Sequence, residues 1–229
     1  MFPGVGEAMV RLLERQGVRV EFPEGQTCCG QPAFNSGYWA DARAAAGNML
    51  DAFEDSDFVI APSGSCVYMF HHYRELFKDD PKRLEQAERL AAKTYEFTQF
   101  LVQVLGVRDV GAYFPHKVTY HPSCHGSRLL GVKDEPLELL SAVRGLTFVP
   151  LPMAEDCCGF GGTFAVKMAD ISGAMVAEKA EHVTETEAEV LTGLDMGCLM
   201  NIGGRLRRQG ANVRVMHLAE LLAEGVERA

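Results

Sequence analysis

Asp156-Cys157-Cys158-Gly159-Phe160-Gly161-Gly162 carries a Cys-Cys-Gly triplet that Thr27-Cys28-Cys29-Gly30 already carries 129 residues earlier. The flanks of the two triplets also correspond. Ala40-Asp41 and Ala169-Asp170 stand at the same offset, and helix-like stretches follow, Ala42–Phe53 and Ile171–Val183. Each half then has a short apolar segment, Phe58-Val59-Ile60 or Val190-Leu191, and a lone cysteine, Gly64-Ser65-Cys66 or Met196-Gly197-Cys198. Phe97-Thr98-Gln99-Phe100-Leu101 and Leu218-Ala219-Glu220-Leu221-Leu222 match in type farther on. Self-similarity at this scale means one supersecondary unit used twice.

Apolar periodicity and turn residues give an alternating order of elements. Helices are expected over Gly4–Gly17, Tyr38–Glu54, Pro81–Lys93, Thr94–Leu105, Glu135–Val143, Thr163–His182, Cys198–Gln209 and His217–Gly225. A helix opened by Cys66 is expected as well. Strands are expected over Val18–Phe22, Phe58–Ala61, Lys117–His121, Leu146–Pro150, Glu189–Thr192 and Val213–Val215. Strands alternating with helices predict crossovers and parallel pairing. The expected fold is therefore α/β, with two pseudo-symmetric halves, residues 1–106 and 107–229. Each is a small, mostly parallel sheet flanked by helices, with its cysteines in loops at the carboxyl ends of strands, where ligands gather.

The halves are unequal. Cys124, in His121-Pro122-Ser123-Cys124-His125, follows a strand-like segment 33 residues before Cys157. The same spacing ahead of Cys28 falls about five residues before Met1. The first half thus lacks a first strand and a first cysteine; a start upstream of Met1, a truncation or genuine loss would each produce this.

The 229 residues carry 22 Lys+Arg against 31 Asp+Glu, a net charge of −9, which argues against a nucleic-acid surface. Met1-Phe2-Pro3-Gly4 has no basic or apolar leader character, and Phe58–Tyr73 is too short and polar to span a bilayer. A cytoplasmic protein without direct membrane insertion is expected. Seven cysteines without a leader argue against a disulfide framework and for metal or redox chemistry.

Converging thiolates make an iron–sulfur site or a zinc site, and spacing this long does not separate the two. Cys124, Cys157, Cys158 and Cys198 form the first-choice set. Cys28, Cys29 and Cys66 form an incomplete one, open to a labile cluster, a zinc with a further ligand, or nothing. Backbone N–H groups of Gly159–Gly162 and the start of the helix at Cys198 are candidate donors to sulfur. His121 and His125 flank Cys124, either as donors or proton carriers or as polar loop residues. His71-His72 read as exposed or partly buried helix residues. No CxxC, P-loop, Rossmann glycine pattern or Ser-His-Asp signature is present, so no nicotinamide or flavin site is expected.

At these residues the chain resembles the cysteine-rich, CCG-domain iron–sulfur proteins. That family includes the CCG-bearing component of heterodisulfide reductase and the iron–sulfur subunits of glycolate oxidase and anaerobic glycerol-3-phosphate dehydrogenase. Within it the likeness is to the lactate-utilization proteins. It runs through Phe22–Tyr38, Pro62–Phe70, Lys93–Phe100, Tyr120–His125, Cys157–Phe164 and Met196–Asn201. The family pattern is a first Cys, then CCG, then CxxC, but Ser63 and Asp195 stand where the CxxC would begin. The resemblance with that departure implies a [4Fe–4S] site of four cysteines rather than a five-cysteine noncubane cluster. It further implies an electron-transfer subunit of an NAD-independent L-lactate (2-hydroxy acid) oxidation system. Its partners would be other iron–sulfur subunits of a lactate-utilization complex and, indirectly, the quinone pool. The alternatives are a heterodisulfide reductase-like thiol/disulfide redox subunit and a zinc-stabilised, non-catalytic module.

Overall fold

Apolar residues at helical spacing bury one face of the opening helix. The computed structural model describes residues 2–228, and its first helix, α1, spans Pro3–Arg15 with Val5, Ala8, Met9, Leu12 and Leu13 buried. Each such leucine contributes on the order of 2 kcal/mol by leaving water. Helices α2 (Gln31–Asn35), α3 (Trp39–Ala52), α4 (Gly64–Leu76) and α5 (Pro81–Ala92) follow it in the first half. Strand β1 (Val59–Ala61) precedes α4, and β2 (Thr94–Glu96) follows α5. The two pair in parallel, Val59 opposite Thr94. Helix α6 (Phe97–Gln99) runs from β2 into a π-helical turn, Phe100–Val104.

The second half has a four-stranded parallel sheet. Its strands are β3 (Lys117–His121), β4 (Thr147–Phe148), β5 (Val190–Gly193) and β6 (Arg214–His217), in the order β4-β3-β5-β6. A π-helical turn, His125–Leu129, and α7 (Asp134–Ala142) connect β3 to β4. Helices α8 (Phe164–Lys167) and α9 (Ala169–Glu185) lead to β5, α10 (Met196–Arg208) to β6, and α11 (Leu218–Arg228) ends the described chain. The fold is α/β, with two small parallel sheets flanked by helices. The repeat is visible in it: β1 and β5 each feed a helix carrying a cysteine on its first turn, and β2 and β6 each feed a capped helix.

The caps match in kind. Glu96 Oε2 accepts from the N–H groups of Thr98 (2.7 Å) and Gln99 (3.3 Å), and Gln99 Oε1 accepts from the Glu96 N–H. At the second copy His217 Nδ1 accepts from the Ala219 N–H (3.1 Å), while Glu220 accepts from the His217 N–H (2.8 Å). Such reciprocal pairs satisfy N–H groups that a helix start leaves open.

Four elements differ from the sequence-based expectation. Val18–Phe22 lies outside both sheets. Thr94–Leu105, expected as one helix, gives up Thr94–Glu96 to β2 because Glu96 caps a helix that starts at Phe97. Leu146–Pro150 is paired only over Thr147–Phe148. The helix expected over Thr163–His182 breaks at Met168, which caps α9 with φ −127°.

The largest apolar core joins the two ends of the chain. Leu12 and Leu13 of α1 pack in one cluster with Phe97, Phe100 and Leu101, with Val118 and Tyr120 of β3, and with Leu218, Leu221 and Leu222 of α11. A second cluster contains Cys29, Leu50, Phe70, Tyr73 and Leu90; a third contains Cys158, Val183, Leu191, Cys198, Leu199 and Ile202. The cysteine loops are thus anchored on one side by core. Among the described residues no helix is long and apolar enough to cross a membrane.

Candidate metal centre

Strand ends and helix starts bring the cysteines together. Cys124 follows β3 and starts a short helical turn; Cys198 sits in the first turn of α10, just past β5. Cys157 and Cys158 lie in the loop between β4 and α8. These four positions span 75 residues, yet the fold gathers their thiols closely enough for each to shift the next, Cys124 with Cys157, Cys157 with Cys158, and Cys158 with Cys198, the last pair having sulfurs within 4.8 Å. Cys158 and Cys198 are buried, Cys124 and Cys157 half-buried.

Among these thiols the proton distribution is uneven. Hydrogen bonds from Cys124 and then Cys158 push the Cys157 thiol far below the ordinary range, helped by the Gly159 N–H at 3.4 Å from Sγ. Donation to Cys157, with burial, pushes the Cys124 thiol up; donation to Cys157 and Cys198, with burial, does the same at Cys158. One thiolate is therefore favoured among protonated neighbours. A metal binding there would take the place of the remaining protons.

The first half repeats part of this arrangement. Cys29 Sγ donates to Cys66 Sγ at 3.6 Å, raising the Cys29 thiol and lowering that of Cys66. Cys28 is exposed beside them. The N–H two residues beyond the second cysteine favours its thiolate in both halves, Gln31 for Cys29 and Phe160 for Cys158. All seven cysteines singled out from the sequence thus fall into two groups, four in one and three in the other.

Residues outside the cysteine pattern hold these loops. Tyr73 Oη donates to the Cys29 carbonyl (2.8 Å), and Asn201 Nδ2 donates to the Cys158 carbonyl (2.9 Å). Lys179, almost fully buried in α9, donates to the carbonyls of Met153 (2.5 Å) and Ala154 (3.4 Å) in the segment leading to Cys157. Helical spacing was the available signal for two of them. Asn201 stands three residues after Cys198 and Tyr73 seven after Cys66, each on the face of its cysteine. Nothing in the sequence marks Lys179.

The two groups face each other. Ser63 caps α4 by accepting from the Cys66 N–H (3.4 Å), and Asp195 caps α10 by accepting from the Gly197 N–H (3.0 Å). The caps also join: Ser63 Oγ donates to Asp195 Oδ2 at 2.9 Å, and the Ser65 N–H to the same oxygen at 3.3 Å. Gly64 and Gly126 meet backbone to backbone, so closely that a Cβ on Gly64 would lie 2.7 Å from the Gly126 nitrogen. Ser36 and Thr163 hydroxyls share a hydrogen bond of 3.0 Å between the two CCG loops.

Of the flanking histidines, His125 Nδ1 lies 3.5 Å from Cys124 Sγ and its ring packs against Tyr68. His71 and His72 are half-buried, and His72 stacks on Tyr68 and edges Phe34. His121 is buried, and a ring nitrogen of His121 and the sulfurs of Cys158 and Cys198 lie within 4.8 Å of one another. A cleft of about 290 Å³ reaches Cys157 past Arg128, Lys179 and His182. The donor set fits a thiophilic metal: soft sulfur ligands suit iron–sulfur clusters and zinc alike. The unpartnered nitrogens of His121 mark the same spot as built for more than protein atoms.

Residues 1–71 and 118–203 match the family described as CCG, the cysteine-rich domain. The chain is 62% identical to "Lactate utilization protein A" of Bacillus subtilis (strain 168) over 218 residues, 95% of this chain and 92% of the relative. It is 59% identical to the protein of that name from Geobacillus thermodenitrificans (strain NG80-2) over 221 residues, 96% and 92% of the two chains. It is 56% identical to "Lactate utilization protein A 2" of Bacillus cereus (strain AH820) over 228 residues, 99% and 94%. With two CCG segments that hold its cysteine groups and relatives matched along nearly their whole length, the chain belongs to the CCG cysteine-rich-domain family.

Proposed function

We propose that this protein is an iron–sulfur electron-transfer subunit of a lactate-utilization system that oxidises L-lactate without NAD. The observation that carries this is the gathering of Cys124, Cys157, Cys158 and Cys198 from separate segments, each thiol shifting the next and the Cys158 and Cys198 sulfurs lying within 4.8 Å. The names of its relatives support the lactate role. In this reading the four cysteines ligate a [4Fe–4S] cluster, which when bound takes up and releases one electron at a time. The residues of the chain supply the rest. Gly159 and Phe160 present N–H groups to the sulfurs, Lys179 and Asn201 fix the loop, and the core beneath Cys158 and Cys198 keeps water off one side. Cys28, Cys29 and Cys66 are a second, smaller ligand group. Residues 1–106 and 107–229 act as the two halves of the relay. It works in the cytoplasm, with other iron–sulfur subunits as partners and the quinone pool as the distant acceptor.

The test is metal and sulfide analysis of protein purified without oxygen. About four irons and four sulfides per filled site, with a broad brown absorbance that bleaches on reduction, are expected. Stoichiometric zinc with neither iron nor sulfide would overturn the proposal. Zinc is the second reading because His121, Cys158 and Cys198 offer three zinc-type ligands within 4.8 Å of one another.

A further inference from the structure

His121 ends β3, three residues before Cys124, and is 2% exposed. Neither its Nδ1 nor its Nε2 has a hydrogen-bond partner within the protein. Buried polar atoms are nearly always paired, so each exception calls for a reason. The same fold supplies the comparison. His217 is fully buried too, yet its Nε2 lies 2.9 Å from the Pro62 carbonyl and its Nδ1 accepts from the Ala219 N–H. His217 has both nitrogens paired; His121 has neither.

What His121 faces is sulfur. One of its ring nitrogens and the sulfurs of Cys158 and Cys198 lie within 4.8 Å of one another. An imidazole carries at least one N–H donor in either protonation state. Cysteines that ligate a metal do so as thiolates, and a thiolate sulfur accepts hydrogen bonds.

We infer that His121 is a positioning residue of the metal centre, its ring N–H donating a hydrogen bond to the Cys158–Cys198 thiolate pair. The inference rests on the metal-centre reading and adds a residue to it. An N–H···S bond draws charge from a ligating sulfur and favours the reduced state, so His121 holds the midpoint potential up.

The experiment uses the full chain, purified anaerobically, with His121→Leu, which removes the N–H, and His121→Gln, which keeps one. At equal iron content the Leu variant is expected to have a lower midpoint potential, with Gln restoring part of the difference. Pulsed EPR of the reduced wild type is expected to detect a weakly coupled nitrogen and an exchangeable deuteron in D2O. Equal potentials in all three proteins overturn the inference, and so does a strongly coupled nitrogen, the mark of a direct iron bond. If both variants lose iron, the wild-type nitrogen and deuteron couplings decide. Wild-type protein that holds zinc and no iron fails the cluster reading alone. In that case cobalt-substituted wild type and His121→Leu should differ in their thiolate-to-cobalt absorption, and identical spectra overturn the role of His121.

Discussion

Gly159→Ala should cost the protein about 3 kcal/mol and its metal. Gly159 follows Cys158 at φ +78°, a conformation that costs an L-residue about 1–2 kcal/mol. An added Cβ would lie 2.7 Å from the Ser172 carbonyl oxygen and 3.0 Å from Met175 Cβ, both in α9. The loop must then move away from the helix, and overpacking of this kind costs about 1–3 kcal/mol. Movement also strains the bond from Ser172 Oγ to the Gly159 carbonyl (2.7 Å) and shifts the Gly159 N–H away from Cys157 Sγ. Gly162 is the control: its φ is +63°, but nothing lies within 4 Å of an added Cβ, so Gly162→Ala should lose only about 1 kcal/mol. Urea unfolding of the reduced, metal-free chains measures the difference, and iron per chain measures the site. If Gly159→Ala unfolds within about 0.5 kcal/mol of Gly162→Ala and loads iron like wild type, the turn does not place the cysteines as argued.

Glu96 gives a pH prediction. Complete burial pushes its carboxyl up to about 7 from 4.5, against the N–H and hydroxyl donors of Thr98, so the native state favours the protonated form. Its contribution is fully present below about pH 4.5 and lost as pH rises through 7, at most about 3 kcal/mol; Glu96→Gln should flatten that part of the stability–pH curve. Tyr73→Phe leaves the Cys29 carbonyl without its buried partner and should lower stability by about 1–2 kcal/mol in the same urea assay, with a wild-type value counting against the anchor. Asp195→Ala removes the cap of α10 and the acceptor for Ser63 and Ser65, for a loss of about 2 kcal/mol. Combined with Ser63→Ala it should lose less than the two single changes added together; strict additivity would mean that the two caps are not coupled.

Much of this was legible in the residues because it depends on local chemistry. Two CCG triplets, the strand-like runs ahead of Cys124, Cys66 and Cys198, and the helices after them depend on glycine, β-branched residues and apolar spacing close by in the chain. Strand β2 was hidden because Thr94–Leu105 has a helical apolar pattern, though Glu96 and Gln99 at capping spacing mark the break. Val18–Phe22 alternates like a strand, but alternation supplies no partner, and pairing is decided by what folds beside it. The grouping of the sulfurs was foreseeable, since parallel strands collect their carboxyl ends. The isolation of His121 was not. His121 and His217 both close a strand, and only the tertiary surroundings separate the paired imidazole from the unpaired one.

Ser63 and Asp195 show why a repeated unit must diverge where its copies meet. Both stand where the family pattern begins CxxC, and both are instead the N-cap of the helix that carries the following cysteine. Ser and Asp are strong caps because a short oxygen side chain reaches the open N–H groups of the first turn. Here each also faces the other at 2.9 Å, Ser63 as donor and Asp195 as acceptor. Two aspartates at this distance would repel, and two cysteines would make a weak hydrogen bond. A serine opposite an aspartate gives a donor, an acceptor and two capped helices at once. The exchange leaves no more than four cysteines in a group. It also ties Cys66 and Cys198 to one shared contact, since each lies on the first turn of a helix that the Ser63–Asp195 pair holds. A change at either cap should therefore be felt by both groups of sulfurs, which independent halves would not allow.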